Sequence, residues 1–137
     1  MREILFKAKR KDNGKWVEGY YRADKDLDTH YICGWNYYAS ENGLEREPYE
    51  EEINPDTICQ YTGLIDKNGE KIWENDILVE KHKGIVTMKY RVVFDLEEGA
   101  WMLETKFGAR YGIGAVNQRH FEVCGNIFDN ANLLEVK

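Results

Sequence analysis

The chain has 137 residues and a mass of 16.1 kDa, room for one domain or two very small lobes sharing a core, which excludes a multi-domain enzyme. Nineteen Lys and Arg stand against 25 Asp and Glu, a net charge of −6, which excludes non-specific coating of phosphate backbones. With 42% hydrophobic, 13% aromatic and 32% charged residues the composition excludes a disordered tail and fits a soluble globule.

A charge interrupts every short apolar run in the first twenty residues, so no secretory core can be drawn there. The longest mostly apolar stretch, residues 85–94, is cut by Lys89 and Arg91 and is about half the roughly 20 residues that cross a bilayer. The expected location is therefore the cytoplasm. Cys33, Cys59 and Cys124 cannot all pair within one chain and none lies in a C-x-x-C spacing, so they read as buried thiols.

In chain order, short runs of β-branched and aromatic residues are broken by Gly, Asn and Asp, and no long stretch keeps a 3.6-residue rhythm. This predicts a mainly β protein. Residues 4–9 and 15–22 form a hairpin about Lys11-Asp12-Asn13-Gly14, and the aromatic run 31–38 forms a strand followed by an irregular excursion. Residues 45–56 hold six acids, one base, and both prolines, Pro48 and Pro55, and read as a solvated connector. An internal boundary near Asn54-Pro55 would separate lobes 1–54 and 55–137. Beyond it come a short strand at 57–61, a turn at Asp66-Lys67-Asn68-Gly69, a strand at 76–80, a reversal at Lys83-Gly84 and a long strand at 84–95. A turn at Glu97-Glu98-Gly99 leads into a strand at 100–105, then a Gly-rich loop at 108–114 and a last strand at 119–124. Asn130 is placed to cap one helical turn bearing Leu133 and Leu134. Strands in such close succession suggest a small barrel-like or rolled antiparallel sheet, with the N-terminal hairpin as its own lobe.

The run Ile58-Cys59-Gln60-Tyr61-Thr62-Gly63-Leu64, then Asp66-Lys67-Asn68-Gly69 and Ile72-Trp73-Glu74-Asn75-Asp76-Ile77, resembles the central signature of the YopX family of phage and prophage proteins. Arg2-Glu3-Ile4, Lys15-Trp16-Val17-Glu18-Gly19, Gly84-Ile85-Val86 and Gly125-Asn126-Ile127-Phe128-Asp129-Asn130 with Leu133-Leu134 extend the likeness, in family order, over nearly the whole chain. The resemblance implies a small, largely β, single-domain protein encoded by a phage or prophage, with no assigned activity. The chain departs from the pattern at Asn75, where the family has glycine, and at Ala131, where it has proline. On physical grounds the signature residues Tyr61, Thr62, Gly63, Asp66, Gly69, Asp76, Gly84, Gly125 and Asn126 are structural: rings and glycines at strand ends, carboxylates accepting backbone amides. A Gly-Asp-Ile element before a strand and a Gly-hydrophobic-Val strand after it also occur in SH3-like barrels, an analogy alone for the C-terminal part.

Three functions are open to these residues. Four Trp, nine Tyr and five Phe exceed the needs of a small core, so Trp35, Tyr37, Tyr38, Tyr49 and Trp73 are candidates for an exposed protein-docking or self-association surface. This is the favoured reading, with a second copy or a host or phage protein as partner. The acidic run 45–56 could also mimic nucleic acid towards a basic partner. A nucleic-acid reading rests on residues 1–25, where eight basic groups meet four acidic ones, and on Lys9, Arg10, Lys11, Lys15 and Trp16 in particular. Whole-chain charge opposes it. A carboxylate cluster of Asp66, Glu74 and Asp76 could serve metal or acid–base chemistry, but turn and strand-entry roles explain these residues better. His30, His82 and His120 share no ligand spacing, the one serine, Ser40, sits in no nucleophile elbow, and Gly112-Ile113-Gly114 lacks the context of a phosphate loop. No cofactor, enzymatic activity or membrane is expected.

Overall fold

The computed structural model describes residues 3–113 and 120–135. Within them the protein is mainly β, built from antiparallel strands and two short 3-10 turns, at Pro55–Thr57 and Ala131–Glu135. No helix among these residues is long and apolar enough to cross a membrane. The chain divides between Gln60 and Tyr61 into two compact units.

In the first unit β1 (Phe6–Lys9) and β2 (Trp16–Asp24) form the expected hairpin, with Ala8 opposite Val17 and Lys9 opposite Trp16. Then β3 (Thr29–Ser40) pairs with β2 through residues 29–33 and with β4 (Gly43–Glu52) along its whole length. The sheet order is β4-β3-β2-β1, and the first residues of β5 (Cys59–Ile65) pair with β1. Ala8, Ile32 and Ile53 are buried at the centre, flanked by Phe6, Val17, Tyr49 and Ile58. The acidic connector and the irregular excursion expected after residue 38 are corrected here: residues 43–52 are a strand. Its charges are compatible with a sheet because β4 is the edge strand, where acids and a proline are tolerated and deter further pairing. Near Asn54-Pro55 the chain remains within the first unit, since Asn54 N donates to Lys9 O and Lys9 N to Thr57 Oγ1.

In the second unit β6 (Lys71–Trp73) pairs with the later part of β5 across a bulge between Tyr61 and Ile65. A five-stranded sheet follows, ordered β10-β9-β8-β7-β11, from β7 (Asp76–His82), β8 (Ile85–Asp95), β9 (Ala100–Glu104), β10 (Arg110–Gly112) and β11 (Phe121–Asn126). Ile72, Leu78, Tyr90, Val92, Leu103, Ile113 and Phe121 form its core, and side chains of this size stabilise by about 2 kcal/mol each when fully buried. Among the described residues the sheet is open, with β10 and β11 at its two ends, and is not closed into a barrel. The Gly-rich loop contains β10, because Arg110 can reach back to Glu104 and Asp95. Gly114 and Arg119, which the sequence placed in that loop and in the last strand, lie outside the described residues. Asn130 directly precedes the last 3-10 turn: its carbonyl accepts Leu133 N, and its Oδ1 accepts Asn126 N.

Candidate interaction surface

Strand alternation sends Ala8, Val17, Ile32 and Ile53 of the first unit to the core, and therefore sends their neighbours outward. The register places Lys7 and Lys9 of β1 beside Trp16 of β2, Tyr20 beside Cys33, Arg22 beside Tyr31, Trp35 beside Pro48 and Tyr37 beside Arg46. This outer face is paved with cation–ring pairs. Lys7 Nζ lies 4.6 Å and Lys9 Nζ 5.5 Å from the Trp16 ring centre, Arg22 lies 4.4 Å above Tyr31, and Arg46 lies 4.0 Å above Trp35. Such stacking holds long cations flat and leaves ring area facing water. Tyr20, Trp35, Tyr37 and Leu44 are 65%, 44%, 62% and 75% exposed.

Beyond residue 33 the β3–β4 hairpin has left β2, so residues 34–49 form a two-stranded ribbon in which the described strands pair only with each other. A two-stranded ribbon is marginal in water by itself. Tyr49 fastens its root. Its ring lies over Gly34 and Gly19, where an added Cβ would collide with it, and its hydroxyl donates to Glu18 O. Burial raises the Tyr49 phenol above its ordinary pKa. The ribbon has two unlike faces. Trp35, Tyr37, Leu44, Arg46 and Pro48 share one, while Tyr38, Glu45 and Glu47 share the other, where Tyr38 Oη donates to Glu45 Oε2 at 3.1 Å and its own pKa is raised by that bond.

The five aromatic candidates therefore separate. Trp35 and Tyr37 stand together on the outer face, Tyr38 is exposed on the opposite side of the ribbon, and Tyr49 covers the two glycines. Trp73 is corrected: at 5% exposure it is buried against Tyr61, ring centres 5.5 Å apart, because β6 points it inward at the β5 bulge. Sequence reasoning missed Tyr31, Arg46 and Leu44 for this face, and grouped Tyr20 and Arg22 only with the cations and rings of residues 1–25. Period-two alternation could have grouped them within each strand, but their meeting depends on the β2–β3–β4 register.

Of the nucleic-acid candidates, Lys9 and Trp16 lie on the outer face. Arg10 is engaged by Asp12 at 3.0 Å and Glu51 at 3.1 Å, Lys11 by Glu52 at 3.0 Å, and Lys15 sits at the exposed end of the β1–β2 turn. Glu18, Glu50 and Glu52 share the outer face with the cations, and Arg22 is paired with Glu50 at 2.9 Å.

The carboxylates of the second unit hold backbone. Asp66 is 5% exposed; its Oδ1 accepts Asn68 N and Glu70 N, and its Oδ2 accepts Val123 N, tying the turn to β11. Asp76 is 2% exposed and accepts Trp73 N at 2.8 Å. Among the described residues no three His, Cys, Asp or Glu side chains are grouped to hold a metal ion. His30 accepts or donates at Nδ1 to Tyr21 Oη, 2.5 Å away, and its Nε2 lies 3.4 Å from Asp28. Partial desolvation of the sulfur raises the pKa of Cys33 and of Cys124. Cys59 is buried as expected, Cys33 is part-exposed, and Cys124 is exposed. The rest of the signature is architectural: the Thr62 hydroxyl donates to Ile72 O and accepts Leu64 N across the bulge, and Lys83 and Gly84, both at positive φ, make the tight β7–β8 turn. Asn126 Oδ1 accepts two amides of the turn after β11, and Gly125 leaves room for Asn130.

Compared with solved structures, the chain is similar to a crystal structure of protein EF1440 from Enterococcus faecalis, with 22% identity, a TM-score of 0.62, and coverage of 98% of this chain and 99% of that one. That likeness shows a shared fold. No curated protein matches the chain. The family model of the YopX protein matches residues 5–135, and with its signature residues accounted for in bulges, turns and strand entries, the chain belongs to the YopX family.

Proposed function

We propose that this protein is a non-enzymatic interaction module that docks a protein partner, of host or phage origin or a second copy, through the outer face of its first-unit sheet. The observation that carries this reading is the row of exposed Trp35, Tyr37 and Leu44 on a ribbon that no described strand covers, with exposed Tyr20 of β2 beside its root. Trp, Tyr and Arg are the residue types that dominate binding energy at protein interfaces, and this face concentrates them. Nucleic acid is the weaker reading, since acids are interleaved with the cations of the face and two of the four basic candidates are neutralised within the chain.

The test is affinity capture with the full chain from a host lysate, run beside a Trp35→Ser/Tyr37→Ser variant, together with sedimentation of both. A partner retained by the wild type, or a self-associated species, should be weakened about 30-fold or more by the double change, at about 1 to 2 kcal/mol per lost anchor. The melting temperature should stay within about 2 °C, because both side chains are exposed. A strictly monomeric chain that retains the same proteins as its variant would remove the reading. Tight binding of short single-stranded oligonucleotides at low salt, with quenching of tryptophan fluorescence, would replace it with the nucleic-acid one.

A further inference from the structure

The second unit contains a groove of about 380 Å³ that the outer face of the first does not explain. One wall is β8 at Val86, Thr87, Met88 and Lys89; the other is the turn at Thr105, Lys106 and Phe107, with Leu134 closing one side. The turn is a built wall. Thr105 N donates to Ala109 O, Gly108 N to Thr105 O, and Thr105 Oγ1 accepts Ala109 N.

Two properties of this groove select an occupant. Among the described residues β9 meets β8 only from Arg91 onward, so residues 85–90 hydrogen-bond β7 on one side and face no strand on the other. Backbone N–H and C=O groups along such an edge take water or an added strand as partner. Unlike β4, this edge has neither proline nor acid at residues 85–88, and Ile85, Val86 and Met88 are 70%, 43% and 39% exposed. The second property is charge. Among the described residues no carboxylate lines the groove, whereas Lys89 Nζ lies at its side, donating to Leu133 O, and Lys106 Nζ lies 5.1 Å from the Phe107 ring centre. The β7–β8 turn adds Lys83.

We propose that this groove is a second docking site, which receives a short extended segment of a partner protein bearing apolar side chains alternating with carboxylates. The segment pairs its backbone with the open edge of β8, seats apolar side chains between Met88 and Phe107, and sets carboxylates near Lys89 and Lys106. A second copy is the poorer occupant, since it would bring the same lysines into opposition, and the bulge at Thr87 bends β8 away from a long self-pairing.

The experiment titrates the isotope-labelled full chain with a hexapeptide of alternating Leu and Glu, with its Leu and Lys counterpart, and with decanoate, following amide signals and peptide anisotropy. The Leu/Glu peptide should move signals of residues 86–89 and 105–107, and the Leu/Lys peptide should not. Lys106→Glu, on an exposed turn, should weaken the Leu/Glu peptide about tenfold, and Met88→Asp should reverse the preference between the two peptides. Trp35→Ser/Tyr37→Ser should change nothing here, which separates this site from the face proposed above. The proposal is overturned by unmoved signals at about 5 mM peptide, an affinity scale too weak for recognition. Equal response to both peptides, response to decanoate alone, or movement with protein concentration in the absence of peptide would each overturn it too, the last by placing a second copy in the groove.

Discussion

Asp66 and Asn75 show how single side chains hold this structure. Asp66 satisfies three backbone amides from within the protein, so Asp66→Ala strands those donors. A loss of about 3 kcal/mol in urea unfolding is expected, far more than a surface carboxylate would cost. Asn75 occupies a left-handed conformation, φ +70°, where the family has glycine, and Arg91 donates to its Oδ1 through Nε at 3.2 Å and NH2 at 2.9 Å. Asn tolerates this backbone better than other non-glycine residues, and the guanidinium adds a charge-assisted fork. Asn75→Ala should therefore cost about 2 kcal/mol, whereas Asn75→Gly should cost less than half of that, because glycine relieves the backbone while losing the same fork. Equal losses in the two variants would show that the fork, not the conformation, matters. A turn or strand-entry role was legible for Asp66 from its place before Lys67-Asn68-Gly69. The Arg91 fork was not, since it spans sixteen positions of chain.

At the scale of elements, the β3–β4 hairpin is the least predictable part and the one on which function is argued. Its aromatic strand and its turn at Ser40-Glu41-Asn42-Gly43 were readable, but β4 was hidden by six acids and two prolines between residues 45 and 56. Edge position reconciles them: Pro48 and five of the acids lie on a strand whose far side faces no other described strand, and there they oppose sheet-to-sheet aggregation. Pro48→Thr combined with Glu47→Thr should thus leave the fold intact and raise concentration-dependent association by sedimentation. No change in association would mean the edge is protected by other means. At the ribbon root, Gly34→Ala forces Tyr49 aside and should cost about 1 to 3 kcal/mol, and the Tyr49→Ala background should remove most of that extra cost. Additive losses would discount the contact.

Across the whole molecule, acid should destabilise, and carboxylates in both units contribute. Asp12 is held below its usual pKa by the Arg10 bond, Asp95 by the Glu98 amide and then Arg110, and Glu122 by Lys81 and then Lys67. A carboxylate whose folded pKa lies below its unfolded one stabilises fully above the unfolded value, about 4, and loses that contribution as pH falls through the folded value. Melting temperature should therefore hold between about pH 6 and 7 and drop below about pH 4. Asp95→Asn should lower it at pH 7 and flatten the acid limb, and an unchanged limb would rule Asp95 out. The sequence by itself determined the β class, most of the turns and the family, because alternation and left-handed turn residues act over two to four positions and are written locally. Only the tertiary structure decided that the sheets stay open, that Trp73 is buried, and that Trp35, Tyr37 and Arg46 share a face with Tyr20. Those outcomes depend on register between strands up to tens of residues apart, and a shift of one residue would send every one of these side chains to the other side.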